Sequence, residues 1–167
     1  GKRLAVVGGG NSGVQEAMFL TRFATHIDLL VRSDLRASEV LQRKLEAMKD
    51  KITVHTNVTV EEIVATNAAV SGVRVKQKAT GEEHTIETDG VFVFIGLLPN
   101  TTFLAGSGVE LDEVGLIKSD TNLQTAVPGV CGAGGVRSHA TMQIGSAVGD
   151  GATAALKIRG YLEKHQG

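Results

Sequence analysis

The chain has 167 residues, 17 Lys+Arg against 18 Asp+Glu for a formal net charge of −1, one Cys, no Trp and 21 Gly, nearly twice the usual glycine share of ~7%. Without clustered Lys/Arg there is no footprint for nucleic acid or an anionic membrane, and the single Cys131 excludes an internal disulfide, a dithiol centre or a zinc ribbon, which points to a reducing compartment, the cytoplasm. No apolar stretch nears the ~18 residues of a membrane span, and no charged start precedes an apolar signal core, so the sequence reads as neither membrane-spanning nor secreted.

Leu4-Ala5-Val6-Val7 is a short apolar run that stops at Gly8-Gly9-Gly10 and predicts the first strand. Apolar residues then recur at Val14, Ala17, Met18, Phe19 and Phe23, which is helical spacing. Ile27 to Val31 is the second strand. After Arg32-Ser33-Asp34, Ser38 is placed to cap a helix running through Lys49, with Leu41, Leu45 and Met48 inward and Glu39 four residues before Arg43. Ile52-Thr53-Val54-His55 is the third strand. The order β-α-β-α-β is that of an α/β fold with a Rossmann-like parallel sheet.

From Val58 the period falls to two. Val70 to Lys78 alternates Val73 and Val75 against Arg74 and Lys76, Thr80-Gly81 turns the chain, and His84 to Thr88 returns around Ile86, which predicts an antiparallel β-meander. Val91-Phe92-Val93-Phe94-Ile95 has no polar residue and reads as a strand buried on both faces of the parallel sheet. The Gly96–Leu98 stretch is the expected boundary between a domain at 1–96 and a segment at 97–167. In that segment, short strands are expected at Gly115–Lys118 and Gly129–Gly132, then a helix from about Met142 to Glu163. Its Gly145, Gly149 and Gly151 cost roughly 1 kcal/mol each relative to alanine, which implies a close backbone approach.

Gly8-Gly9-Gly10-Asn11-Ser12-Gly13 matches G-x-G-x-x-G after a strand and at the start of a helix, the context a dinucleotide-binding loop needs. Gly8 permits the tight turn, Gly10 lets a pyrophosphate approach the backbone, and Gly13 lets helix and strand pack closely. The helix start then offers free N–H groups and about half a positive charge. A carboxylate that selects NAD through the ribose 2′-OH usually stands ~20 residues on, at the end of the second strand. Here that place is Val31-Arg32-Ser33, while Asp28 lies inside the strand and is expected to point away. Arg32 and Arg36 bracket the turn where a 2′-phosphate would lie, so NADP(H) is favoured over NAD(H).

The stretches LAVVGGGNSGVQEAMFL, VRSDLRAS, DGVFVFIGLLPNT and VPGVCGAGG, followed by QIGSAVGDGATAALKIRGYL, resemble in order low-molecular-weight thioredoxin reductases and the flavoprotein component of alkyl hydroperoxide reductase. The resemblance implies an FAD-dependent pyridine nucleotide-disulfide oxidoreductase, in which NADPH reduces a flavin, the flavin a Cys-x-x-Cys pair, and the dithiol a protein disulfide. It makes residues 1–96 a NADP(H)-binding Rossmann-type domain and residues 97–167 the C-terminal segment of a second, FAD-type α/β domain. Gly8, Gly10, Asn11, Ser12 and Gly13 then fall on the pyrophosphate loop, Arg32 and Arg36 on the 2′-phosphate site, and Gly96 on the turn near the nicotinamide. Gly134, Gln143 and Ile144 fall near the flavin, the last two where a helix begins under its pyrimidine. The partner implied is a thioredoxin- or peroxiredoxin-like redox protein, and the assembly a homo-oligomer.

The chain departs from the family pattern in three ways. Ser33 stands where the arginine turn usually has a second adjacent arginine, which weakens the NADP preference without removing it. The family's FAD motif and Cys-x-x-Cys are not in this sequence. Ala133-Gly134-Gly135 replaces Ala-Gly-Asp, a missing charge-assisted hydrogen bond of roughly 1.5–3 kcal/mol to a flavin. These departures fit either a piece of a larger flavoenzyme, binding FAD when its N-terminal half is supplied, or a divergent, non-catalytic nucleotide-sensing or interaction module. Another two-dinucleotide flavoprotein, such as a monooxygenase or ferredoxin-dependent relative, shares the Gly8 loop. Cys131 is expected to be a buried inert thiol, Asp150 a helix-surface charge, and the five histidines lack metal-ligand spacing.

Overall fold

In the computed structural model, which describes residues 1–165, the chain divides into two units, Gly1–Gly96 and the segment from Leu97 onward. The first unit runs β1 (Lys2–Val7), α1 (Asn11–Leu20), β2 (Ala24–Val31), α2 (Glu39–Glu46), β3 (Ile52–Thr56), β4 (Val58–Thr66), β5 (Ala69–Gln77), β6 (Glu83–Glu87) and β7 (Gly90–Val93). Four strands form a parallel sheet in the order β3-β2-β1-β7, and β4-β5-β6 form a separate antiparallel sheet. The predicted α/β class and the meander are both present; β4, where the sequence showed only a change of period, is the meander's first strand.

Alternation along the strands decides which core each residue joins. Val6, Ile27, Leu29 and Val31 pack with Val14 and Ala17 of α1 and Leu45 of α2. Ala5 and Leu30 face the other way, onto Val58, Val73, Val75 and Ile86 of the meander. The parallel sheet thus lies between a helical layer and a second sheet, and each fully buried Leu or Ile contributes about 1.5–3 kcal/mol. At the start of β7, Asp89 holds β1 from both sides: its Oδ2 accepts from the Arg3 amide at 2.9 Å, and its own amide donates to the Arg3 carbonyl at 2.8 Å.

Asp28 is the one carboxylate buried inside this sandwich among the described residues, at 1% exposure. It accepts from Arg3 Nε at 2.9 Å and lies 2.9 Å from His55 Nε2. Burial works to raise its pKa, but the hydrogen bonds from His55 and Arg3 and the charge of Arg3 outweigh it and hold the carboxyl below the ordinary carboxylate range.

Several expectations need correction. The helix predicted through Lys49 ends at Glu46, because the following amides bond three residues back, Met48 to Leu45 and Lys51 to Met48, a tighter turn that closes the helix. Ser38 stands at the N-cap of α2, yet its hydroxyl makes no capping bond. The run Val91–Ile95 is not buried on both faces. β7 pairs only with β1 and is an edge strand, leaving Val93 53% and Ile95 74% exposed.

In the second unit the strands expected at Gly115–Lys118 and Gly129–Gly132 are single pairings, Leu111 with Ile117, Ile117 with Arg137, and Gln124 with Cys131. Side chains do the work that a ladder would do. Asp112 Oδ1 accepts from the amides of Val114 and Leu116, and Asp120 Oδ1 from those of Asn122 and Gln124. The last helix, α3, spans Ile144–His165, two residues later at each end than expected. Of its residues only Ala154 is buried, and a Cβ at Gly145, Gly149 or Gly151 would meet nothing within 4 Å, so among the described residues no close approach explains these glycines. Cys131 is half-buried rather than buried.

Candidate functional site

The glycine loop leaves β1 and enters α1 by a turn that few other residues could make. Gly8 has φ +137, and a Cβ there would lie 2.2 Å from the Phe94 carbonyl oxygen. A Cβ on Gly13 would lie 2.1 Å from the carbonyl oxygen of Gly8, so α1 packs directly on the turn it follows. Gly10 is different: nothing lies within 4 Å of the position a Cβ would take. The space above Gly10 is open to a ligand rather than filled by protein.

The first intrahelical bond of α1 runs from the Val14 amide to the Gly10 carbonyl at 3.1 Å. The amides of Asn11, Ser12 and Gly13 precede it and find no acceptor among the described residues. No acidic residue sits in that first turn, so its partial positive charge is not offset locally.

The turn after β2 is tied to this loop by three hydrogen bonds. The Gly9 carbonyl accepts from the amides of Arg36 at 2.8 Å and Ala37 at 3.1 Å, and Asn11 Oδ1 accepts from the Ser38 amide at 2.8 Å. Arg32 and Arg36 are exposed. The arginines in ion pairs among the described residues are Arg3, Arg43, Arg74, Arg137 and Arg159; Arg32 and Arg36 are not among them. The turn that carries these two exposed arginines is thus bonded to a loop with three uncommitted amides, at the carboxyl ends of parallel strands, where open α/β sheets bind ligands. Gly96, with φ +101 and open space around it, follows β7 at that same edge of the sheet.

The structure thus brings together Gly8, Gly10, Asn11, Ser12, Gly13, Arg32 and Arg36. Gly134, Gln143 and Ile144 lie in the second unit. Gly134 is buried with φ +78, the Gln143 carbonyl accepts the Ala147 amide at 3.1 Å to open α3, and Ile144 is 85% exposed. A Cβ at Gly135 would meet nothing closer than Met142 at 3.8 Å, so the site has room for the side chain that the sequence does not supply.

Asp150, expected to be a plain surface charge, is instead the hub of this corner. Its Oδ2 accepts from the Gly134 amide at 3.1 Å and from Arg137 Nε at 3.2 Å and Nη2 at 3.0 Å. Those bonds, from Arg137 first and then Gly134, hold its carboxyl below the ordinary range. The pairing spans thirteen residues and a 3-10 turn (Gly134–Val136), so no local pattern could have announced it. In an Asp150→Ala variant the Gly134 amide loses its acceptor, and hydrogen exchange there, followed by mass spectrometry, is expected to accelerate while exchange in β1 and β2 stays unchanged.

A hollow of about 410 Å³ between α2 and β3, bordered by Leu35, Gln42 and Lys49, contains none of the residues named above as binding candidates. His139 is exposed, with φ +61. Among the described residues no group of three or more His, Cys, Asp or Glu is placed to hold a metal, and no helix is long and apolar enough to cross a membrane.

Residues 1–151 match the family described as pyridine nucleotide-disulphide oxidoreductase. The chain is 45% identical over 163 residues to an alkyl hydroperoxide reductase component of Pseudomonas putida, covering 97% of this chain and 31% of that protein. It is 40% identical over 167 residues to thioredoxin reductase of Bacillus subtilis, covering 99% of this chain and 52% of that one. Among solved structures it is similar to Lactococcus lactis thioredoxin reductase, with TM-score 0.81, 35% identity and coverage of 98% of this chain and 54% of the other. The thioredoxin reductase of T. acidophilum gives TM-score 0.79 at 40% identity, with coverage of 98% and 53%. The chain therefore spans about half the length of the thioredoxin reductases it matches, and about a third of the hydroperoxide reductase component.

Proposed function

The chain belongs to the pyridine nucleotide-disulphide oxidoreductase family, and from that membership we propose that residues 1–96 bind NADP(H) and residues 97–167 form the C-terminal segment of an FAD-binding domain. The whole would be a thioredoxin-reductase-like flavoprotein. The observation that carries the reading is the pairing of uncommitted groups at one sheet edge: open space at Gly10, free amides on Asn11, Ser12 and Gly13, and the unpaired Arg32 and Arg36. Amides and a helix start suit a pyrophosphate. Guanidiniums suit the 2′-phosphate that distinguishes NADP(H) from NAD(H). Gly96 would lie by the nicotinamide.

Bound NADPH supplies a hydride, and the residues of this chain hold and orient the dinucleotide. Gly134, Gln143 and Ile144 would border a flavin, but Gly135 offers it no carboxylate. An FAD site, like the dithiol that a chain with one cysteine cannot contain, then draws on residues outside this sequence. The electrons would pass to a thioredoxin- or peroxiredoxin-like protein in the cytoplasm. Exposed apolar side chains such as Leu97 at 79% and Leu98 at 94% support a homo-oligomer. A second reading, a nucleotide-sensing module without catalysis, is favoured by Gly135 and the lone cysteine; a flavin that binds the purified chain and is bleached by NADPH would exclude it.

The dinucleotide reading is tested by titrating NADPH and NADH, through nicotinamide fluorescence, into the chain and its Arg32→Ala and Arg36→Ala variants. Each substitution is expected to weaken NADPH about tenfold, the loss of one exposed charge-assisted phosphate contact, and NADH less than twofold. Equal losses for the two nucleotides would overturn the assignment.

A further inference from the structure

We propose that Asn11 is a positioning residue that sets the preference between NADP(H) and NAD(H) without touching the 2′-phosphate, by clamping the arginine turn to the glycine loop. The inference rests on the NADP(H) reading above. An amide N–H can be accepted only by the oxygen of an asparagine, so the 2.8 Å contact from the Ser38 amide fixes Oδ1 toward that turn. Ser38 is also where α2 begins: its carbonyl accepts from Leu41 at 2.9 Å and Gln42 at 3.0 Å. Its own hydroxyl caps nothing, so this end of α2 is anchored from outside, by α1.

Arg36 lies two residues earlier, with its amide on the Gly9 carbonyl at 2.8 Å. The segment from Arg36 to Ser38 is therefore held at two points of the loop, Arg36 and Ala37 on the Gly9 carbonyl and Ser38 on Asn11. An arginine side chain gives up rotamer freedom when it binds, and a fixed backbone limits how much further freedom has to be lost. Asn11 sits in the helical turn whose amides are free for a pyrophosphate, so the two phosphate-binding elements are joined through one side chain. Loosening the clamp should cost affinity only for the nucleotide that uses the arginines.

The hydrogen bond can be removed from either side. Asn11→Ala deletes the acceptor. Ser38→Pro deletes the donor, at a residue whose φ of −58 is one that proline adopts; it changes no residue of the glycine loop, and its ring carbon takes the place of the N–H and turns the Asn11 side chain away from α2. Asn11→Asp keeps the acceptor while placing a negative charge by the pyrophosphate. Dissociation constants for NADPH and NADH are measured by nicotinamide fluorescence on the full chain and all three variants, with circular dichroism to establish folding.

Asn11→Ala and Ser38→Pro are both expected to lower the ratio of NADH to NADPH dissociation constants about fivefold, the effect of one hydrogen bond; in Ser38→Pro, which lies outside the glycine loop, NADH stays within twofold of the parent. Asn11→Asp should weaken both nucleotides and keep the ratio. The inference is overturned if Asn11→Ala weakens both nucleotides alike, if its effect is absent from Ser38→Pro, or if Asn11→Asp loses the ratio as alanine does. A parent chain that does not prefer NADPH overturns the NADP(H) reading and the inference with it, whereas a preference that survives both deletions overturns the inference alone.

Discussion

A Gly8→Ala chain is expected to melt roughly 12–24 °C lower in its first unit and to lose dinucleotide binding altogether. The new Cβ would lie 2.2 Å from the Phe94 carbonyl oxygen and 2.9 Å from its carbon, at a φ of +137 that a side chain resists. Neither backbone can step aside easily. The Gly8 amide is bonded to the Leu30 carbonyl at 2.9 Å and the Phe94 amide to the Val7 carbonyl at 2.7 Å, so relief requires breaking the sheet on one flank or the other. Strain plus a lost ladder bond amounts to about 3 kcal/mol, and a unit of this size shifts by about 4–8 °C per kcal/mol. Gly10→Ala is the contrast. With nothing within 4 Å of its Cβ, it should melt within ~0.5 kcal/mol of the parent yet bind the dinucleotide more weakly. Thermal denaturation and nucleotide titration of the pair separate a glycine needed by the fold from one needed by the ligand.

The other large effect is expected at Asp28. Asp28→Ala removes the acceptor of Arg3 and His55 and opens a gap in the face packed on the meander, for a loss of about 2–3 kcal/mol at neutral pH. That is less than the cost of stranding a fully buried charge, because Arg3 is half exposed and regains water. The pH dependence has a definite sign. Folding lowers the Asp28 pKa, so its contribution is complete above the ordinary carboxylate range and is lost as pH falls through the depressed folded value. Urea denaturation at a series of pH values should show the gap between parent and variant at full width at pH 7 and narrowing below about pH 4. A gap that held its width down to about pH 2 would show that packing, not the charged carboxylate, stabilises this face.

What could be read in the sequence was what short-range periodicity and turn chemistry encode. Val6 and Val7 ahead of three glycines, Val14 and Ala17 at helical spacing, and the alternation of Val73 and Val75 with Arg74 and Lys76 each carry their own assignment within a few residues. The errors share a cause. Val91–Ile95 looks central because it is apolar, but whether a strand is central depends on what pairs with its second edge, and composition does not contain that. Ser38 looks like a side-chain cap, yet the partner that decides its role, Asn11, is 27 residues away. Asp150 meets Gly134 and Arg137 only because a 3-10 turn folds back onto α3. Gln124 and Cys131 pair in isolation after a turn fixed by the Asp120 side chain, a structure with no period to detect. The site follows the same division: the glycine motif and the two arginines were visible as residues, whereas the bonds that join them span separate elements.

The pairing of β7 with β1 also fixes an order of events. Leu4 lies opposite Gly90 and Val7 opposite Val93, so 86 positions separate the partners, while β4, β5 and β6 pair with their immediate neighbours. On a ribosome adding about 5–20 residues per second, roughly 4–17 s pass between synthesis of β1 and of the strand that completes its sheet. During that interval the meander can fold locally and β2 can settle on β1, but one flank of β1 keeps its amides and carbonyls unpaired. The nascent chain is therefore most open to pairing with the wrong strand just before Val93 emerges, and translation that pauses upstream of Gly90 prolongs that exposure.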